Sequence, residues 1–420
     1  MRFLYSFLFY CLLPLIFLRL LWRGVKAPAY RLRWGERLGY YRQAAMQEVI
    51  WIHAVSVGEA EAVFPLLKQL QQAHPARQFL VTTTTPTGSV RVKTVMGESV
   101  SHVYLPYDTP DAVRRFFEHF QPKVAIILET EIWPNLFAAC GQQQIPLFII
   151  NACLSEKSAR GYQKLSNLVY PTLSNVTTIA AQTEADAQRF LAIGAQTKQV
   201  QVCGNIKFDT PAMDALIEQG RQLRERLFPG RFVWIIASTH KDEEAFFVAI
   251  FVQLKQIAPE LLLVIAPRHP ERFVEVKNLC LKQQLKVVMR TSQSICDSAT
   301  DVYIADTLGE LKMLYAAADL AFVGGSLVPI GGHNVLEPAS MKVPVMFGPF
   351  MENVSLIAQG LLNADAALQC QDSSGLLSGF QRLYADAAYR QTLVINASRF
   401  LKQNQGATGK ILALLRSVIK

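Results

Sequence analysis

Phe322-Val323-Gly324-Gly325-Ser326, followed by Gly331-Gly332-His333-Asn334-Val335-Leu336-Glu337-Pro338, reads as a buried strand, a glycine-rich loop and a helix start that carries an acid. Paired glycines let backbone N–H groups approach a phosphate without a Cβ clash, and a helix N-terminus adds partial positive charge for an anion. Glu337 is then placed to accept bonds from two ribose hydroxyls, with His333 and Asn334 facing the loop. A nucleotide site and a plain tight loop before a capped helix both account for this segment.

Carboxylates suited to proton transfer lie in the first half of the chain. Glu59 stands in Ser56-Val57-Gly58-Glu59, directly after the apolar run 49–55. Ser56 and Glu59 have capping-box spacing, so the acid either closes a helix end or acts as a general base for a sugar hydroxyl, with Gly58 leaving room for the ligand. Glu129 and Glu131 emerge from another apolar run in Glu129-Thr130-Glu131-Ile132-Trp133-Pro134-Asn135. An acid buried without a partner is costly, which points to a role in acceptor binding or in holding the base. Thr84 and Thr85, before Gly88, offer hydroxyls to a phosphate or sugar, or simply form a polar turn.

The second half offers cations and hydroxyls at strand ends. Ser238-Thr239-His240 and Arg268-His269-Pro270-Glu271-Arg272 follow two apolar runs, and an arginine there presents a planar fork to a phosphate or carboxylate. A solvated basic turn explains the second motif equally. Thr307 and Glu310 repeat the capping-box spacing beside a candidate phosphate site. Lys207, in Gly204-Asn205-Ile206-Lys207, lies at the expected domain junction and is either solvated or directed into a cleft.

These residues need a scaffold, and its pattern is regular. Short apolar runs alternate with amphipathic stretches, the signature of parallel strands linked by helices. Strands are predicted at 49–55, 78–83, 124–129, 147–150, 178–181 and 200–203, with helices over 60–73 and 111–120. A second series is predicted at 232–237, 261–266, 286–289, 302–304, 320–323 and 344–347. Two successive sets imply an α/β fold with two Rossmann-like domains, 23–205 and 206–420, the last helix being free to cross back. Ligands of such sheets bind at the carboxyl ends of the strands, so the two domains are expected to face a cleft.

A chain of 420 residues with 51% hydrophobic content has enough apolar material for two cores. Its net charge of +9 favours anionic partners: phospholipid, nucleotide or nucleic acid. The seven cysteines are scattered without CxxC or metal-like spacing and read as reduced thiols, not a disulfide framework.

Residues 3–22 are almost wholly apolar and aromatic, broken by Ser6, Pro14 and Arg19, and are nearly long enough to cross a bilayer. No small-x-small cleavage site follows directly. Arg23, Lys26, Arg31, Arg33 and Arg37 make a basic collar that keeps the following domain cytoplasmic by the positive-inside tendency. Residues 1–22 are therefore expected to be an uncleaved anchor, spanning the membrane or lying in its interface. A buried first helix is the competing reading.

Taken in order, the anchor and collar, 56–59, 129–135, 204–207, 268–272, 306–311 and 324–338 closely resemble the motifs of bacterial 3-deoxy-D-manno-octulosonic acid (Kdo) transferases. The resemblance spans nearly the whole chain. It implies a metal-independent inverting glycosyltransferase of the GT-B fold, at the cytoplasmic face of the inner membrane, that moves Kdo from CMP-Kdo to the lipid A precursor. It also implies that Glu59 is the base and that the second domain holds CMP-Kdo. The expected donor-binding set is Lys207, Ser238, Thr239, His240, Arg268, His269, Glu310, Gly325, Ser326, Gly331, Gly332, His333, Asn334 and Glu337. The acceptor is expected at Ser56, Gly58, Thr84 and Thr85, with Glu129 and Glu131 supporting catalysis.

No cofactor is expected, since CMP-Kdo is a substrate; the partners are that donor, the lipid A precursor and inner-membrane lipids, with no nucleic acid. No DxD sequence or His/Cys cluster offers a divalent metal site, so the departing CMP must be met by protein groups and helix ends. Two other readings stand beside this one. A different enzyme of the same fold, a glycosyltransferase with another donor or a nucleotide-sugar epimerase, would keep the loop and ribose acid without obvious need of an anchor. An anchored two-domain binding protein would hold a ligand without chemistry, but the thiols and collar argue against export.

Overall fold

The computed structural model describes residues 1–209 and 213–419; the side chain of Lys26, one of the expected collar residues, lies outside the described set. The chain forms two compact units, Met1–Asp209 together with Gln405–Lys420, and Thr210–Asn404. The division thus falls after Asp209, not after Asn205, and the end of the chain returns to the first unit.

The first unit holds a seven-stranded parallel sheet: β1 (Val49–His53), β2 (Phe79–Thr83), β3 (Ser101–Tyr104), β4 (Pro122–Leu128), β5 (Leu147–Ala152), β6 (Thr178–Ala181) and β7 (Val200–Val202). Its order is β3-β2-β1-β4-β5-β6-β7. β1 and β4 pair through Ile50–Val124 to His53–Ile127. The chain winds one way from β1 and returns to wind the other way from β4, which makes β1/β4 the switch point where such sheets bind ligands. β1 and β2 are buried throughout because helices cover both faces, and this is why the central strands read as continuous apolar runs.

The second unit repeats the plan with β8 (Phe232–Thr239), β9 (Leu261–Pro267), β10 (Val287–Met289), β11 (Val302–Ile304), β12 (Leu320–Val323), β13 (Val345–Phe347) and β14 (Ala367–Gln369). Its order is β10-β11-β9-β8-β12-β13-β14, so the switch point is β8/β12. Two strands escaped the sequence pattern, β3 and β14. Both are short edge strands, half-paired and less apolar, and give little periodic signal.

The helix Ala407–Arg416 packs Ile411 and Leu415 into the same core layer as Ile50, Val63 and Leu67. Asp209 fixes its start by accepting the N–H groups of Gly406, at 2.6 Å, and Thr408. Among its described residues the first helix, Arg2–Lys26, buries only Ser6, Leu20 and Gly24 and turns Leu8, Leu15 and Trp22 outward. Its Arg2–Val25 stretch is long and apolar enough to cross a membrane.

The basic collar is only partly a surface feature. Arg23 and Arg31 are exposed, but Arg33 forks onto Glu36 at 2.7 and 2.8 Å. Arg37 is buried, donating to the Thr84 carbonyl at 2.8 Å, with its guanidinium over the Tyr104 ring. Both are internal struts of the first unit.

Candidate functional site

At the first switch point β1 ends in His53, and the helix Val57–Ala73 begins three residues after Ala54. Ser56 is its N-cap, with its hydroxyl 3.5 Å from the Glu59 N–H. Glu59 reaches back: one carboxylate oxygen accepts from the Val55 N–H at 2.8 Å and the other from the Ser56 hydroxyl at 3.1 Å. Ser56 therefore caps the helix as the spacing suggests, but Glu59 takes the N–H of Val55 and the hydroxyl of Ser56 in place of the Ser56 N–H that a capping box would use. Burial nevertheless pushes the Glu59 carboxyl up to about 7, with the negative charge of Glu129 adding to the rise. An acid poised near neutrality suits a general base, so the capping contact and a proton-accepting role are compatible. Gly58 beside it is exposed, and a Cβ there would meet only the Ser56 hydroxyl, at 3.9 Å, among the described residues.

β4 supplies the neighbouring acids. Glu129 leaves the strand in a left-handed conformation, φ 58°, which is strained for a residue with a side chain and directs the chain sharply into the next loop. Its Oε1 accepts from Lys207 Nζ at 2.9 Å. Lys207, grouped by the sequence with the donor residues, therefore lies in the first unit beside the acids. Glu131 accepts from the Trp133 indole N–H at 2.8 Å, and burial pushes its carboxyl up to about 7. Thr84 and Thr85 both direct their hydroxyls to the Val55 carbonyl, at 3.3 and 3.4 Å, and so brace the turn that carries Glu59. Thr85 also caps the next helix through the Gly88 N–H.

At the second switch point the ends of β8 and β12 bring Ser238, Thr239 and His240 beside Gly324–Ser326. His240 and His333 approach Nε2 to Nε2 at 2.8 Å with nearly parallel rings. Burial lowers both imidazoles, His333 to about 4, so the contact is an N–H···N bond between neutral rings. The glycines are needed here. Gly325 has φ 66°, and a Cβ on it would lie 3.0 Å from the His333 ring; Gly332 has φ 73°, and a Cβ would meet Met351 Sδ at 2.5 Å. His269 packs edge-on to His240, while Arg268 is exposed and, among the described residues, has no carboxylate partner.

Two expected donor contacts are occupied by the protein itself. The N–H groups of Gly325, Ser326 and Leu327 all point at the carboxylate of Glu243, at 2.7, 3.1 and 3.0 Å, and the His240 N–H joins them at 3.0 Å. Glu243, 1% exposed, fills the place the glycine-rich loop seemed to reserve for a phosphate. The sequence reading passed over it; its one signal was an acid in the first turn after a strand end. Glu310 likewise is held by the Arg290 fork, at 3.0 and 2.8 Å, and by Thr307. Asn334 Oδ1 accepts the Leu336 N–H at 3.0 Å in the turn before the helix Leu336–Ser340, and Glu337 stands half-buried in the first turn of that helix. Gly331, with φ 98°, abuts Asn353.

Residues 32–210 match the family described as 3-deoxy-D-manno-octulosonic-acid transferase (kdotransferase). A 3-deoxy-D-manno-octulosonic acid transferase from Haemophilus influenzae is 38% identical over 100% of this chain and 99% of its own length. The chain belongs to the Kdo transferase family. The relative from Bordetella pertussis is 33% identical over 96% of both chains. Among solved structures, UDP-GlcNAc 2-epimerase from Neisseria meningitidis covers 88% of the chain and 99% of its own, with a TM-score of 0.61 at 16% identity. A glycosyltransferase from Rickettsia africae covers 89% and 99%, with a TM-score of 0.57 at 12% identity. These two likenesses show the fold, two Rossmann-like sheets of the GT-B class.

The transferase is thus a glycosyltransferase, and its residues divide by unit. The first holds the acids Glu59, Glu129 and Glu131 with Lys207; the second holds the His240–His333 pair, Arg268 and Glu337.

Proposed function

We propose that this Kdo transferase takes its sugar from CMP-Kdo and adds it, with inversion, to the lipid A precursor, using Glu59 as base and no bound metal. The observation that carries the reading is Glu59: a carboxylate at the β1/β4 switch point, raised to about 7 by burial and by Glu129, beside an exposed glycine. An Oε of Glu59 takes the proton of the acceptor's primary hydroxyl as that oxygen bonds to the anomeric carbon of Kdo. The bond from that carbon to the CMP phosphate oxygen breaks on the opposite face, and the electron pair leaves with CMP. One carboxylate suffices for such a single displacement.

The second unit supplies the donor contacts. Because Glu243 occupies the loop amides, charge on the departing phosphate falls to side chains, with Arg268 and the His240–His333 pair the nearest candidates, while Glu337 takes the ribose. The apolar first helix and exposed Arg23 and Arg31 hold the enzyme at the cytoplasmic face of the inner membrane, where an acylated, phosphorylated disaccharide is presented. Mass spectrometry of products from CMP-Kdo and lipid A precursor, run against UDP-sugars, tests the reading. Added Kdo is the expected product, and turnover of UDP-sugars alone would defeat it. The same spectrum counts the Kdo residues added.

A further inference from the structure

The start of the first helix and the helices Pro110–Phe120, Pro134–Gln142 and Ser166–Leu173 enclose a groove of about 860 Å³ within the first unit. Phe7 and the largely exposed Phe3 lie along one apolar side, Ala139 and Leu168 along the other. The first helix is fixed in place as a wall. Asn135 Nδ2 donates to the buried Ser6 hydroxyl at 3.0 Å, and Asp108 accepts the N–H groups of Asn135 and Leu136 at 2.9 and 2.8 Å. Tyr10 adds a hydrogen bond to Asp111.

Three features identify the occupant. Arg2 and Arg114 line the groove and, among the described residues, no Asp or Glu does, so it suits an amphiphile with an anionic head. Arg114 shares only one terminal nitrogen with Glu118, at 3.2 Å, which leaves most of its fork open. The first helix turns Leu4, Leu8 and Leu12 outward, an apolar surface that places the groove's opening against acyl chains rather than water. Finally, only Ile132 and Trp133 separate Glu131 from the groove-lining Pro134 and Asn135, so the groove adjoins the acid cluster along the chain.

We propose that this groove holds an acyl chain of the phosphorylated lipid acceptor, with Arg2 and Arg114 toward an acceptor phosphate. The inference rests on the reading of the acceptor as an acylated lipid and adds where its apolar part binds.

The test uses the full chain in detergent with two acceptors, the acylated phosphorylated disaccharide and its fully deacylated form. Leu168→Trp and, separately, Ala139→Phe fill the groove. Each is expected to raise KM for the acylated acceptor about tenfold or more, the loss of roughly two buried methylenes, with KM for CMP-Kdo and turnover of the deacylated acceptor unchanged. Wild-type kinetics on both acceptors in both variants would overturn the proposal. Photolabelling of the wild-type protein, independent of how the variants fold, uses an acceptor with a diazirine at the acyl terminus. Label in peptides covering 134–142 and 166–173 supports the groove, and label confined elsewhere overturns it. Label from diazirine-bearing phosphatidylglycerol that excess acceptor does not displace would assign the groove to bulk lipid and overturn it too. Failure of the wild-type enzyme to transfer Kdo to any lipid strikes the underlying reading instead, since labelling needs no turnover.

Discussion

Lys207 Nζ lies 2.9 Å from Glu129 Oε1, joining the turn after β7 to the left-handed turn after β4. The pair is partly exposed, so its net contribution to stability is small, but Glu129 is one of the charges felt at Glu59. Burial raises the Glu59 carboxyl and Glu129's negative charge adds to the rise, while Lys207 is the cation paired with that charge.

Opposite shifts in the pH profile follow from this pair. With Glu59 as the proposed base, its deprotonated form is the one that accepts the proton, so turnover should rise with pH through about 7. Glu129→Gln removes the repelling charge and leaves Lys207 cationic, which stabilises ionised Glu59 and moves the rising limb to lower pH. Lys207→Met leaves Glu129 uncompensated and moves it higher. Profiles of kcat/KM for the acceptor check both, and shifts of the same sign would dissociate the pair from the base.

Base and cap separate at Glu59 itself. Glu59→Gln keeps an oxygen for the Val55 N–H and its size, so thermal stability near pH 7 and donor affinity should stay close to wild type. Turnover should fall by about 10²–10⁴, because an amide cannot take the acceptor's proton. Turnover within a few-fold of wild type would return Glu59 to the cap and leave Glu131 or Glu129 as the next candidate base.

Stability carries its own pH signature. Glu59 and Glu131 are both raised from 4.5 to about 7 in the folded chain, so between those values the folded state holds more protons than the unfolded one. Their contribution therefore falls as pH rises from about 4.5 to 7. Thermal melts of the Glu59→Gln, Glu131→Gln double variant should be flatter across this window than those of wild type.

Donor binding should depend on the second unit. Arg268→Ala and Glu337→Ala should each weaken CMP affinity by about 1.5–3 kcal/mol, the worth of a charged hydrogen bond, in a folded protein. Glu243→Gln should also weaken it, since an amide nitrogen then faces the loop's N–H groups. Calorimetric titration with CMP measures all three, and unchanged affinity for Arg268→Ala and Glu337→Ala would remove that unit's side chains from the nucleotide site.

Deleting residues 1–22 should leave a folded protein with weaker membrane retention and with activity on detergent-dispersed acceptor at a raised KM, since the deletion removes one wall of the proposed acyl groove. The helix buries little of itself, but its loss strips the Ser6 contact from Asn135. A lower melting temperature with intact far-UV circular dichroism is therefore expected, and loss of the fold would instead make the helix a core element.

Central strands were legible because parallel strands covered on both faces must be apolar throughout, as in 147–150 and 261–266. Glu59 was legible as an acid in the first turn of a helix after such a strand, and the glycines of 324–332 as positions where backbones approach closely. These are short-range properties, carried by residue type and spacing. What the tertiary structure decided involves partners far apart in the chain. Glu243 fills the amide nest of a loop more than eighty residues away, Lys207 joins the acids and not the donor loop, Arg33 and Arg37 turn inward, and Asp209 captures the returning last helix. Each is an electrostatic choice between solvent and a protein partner, and only the assembled sheets determine which partner is within reach.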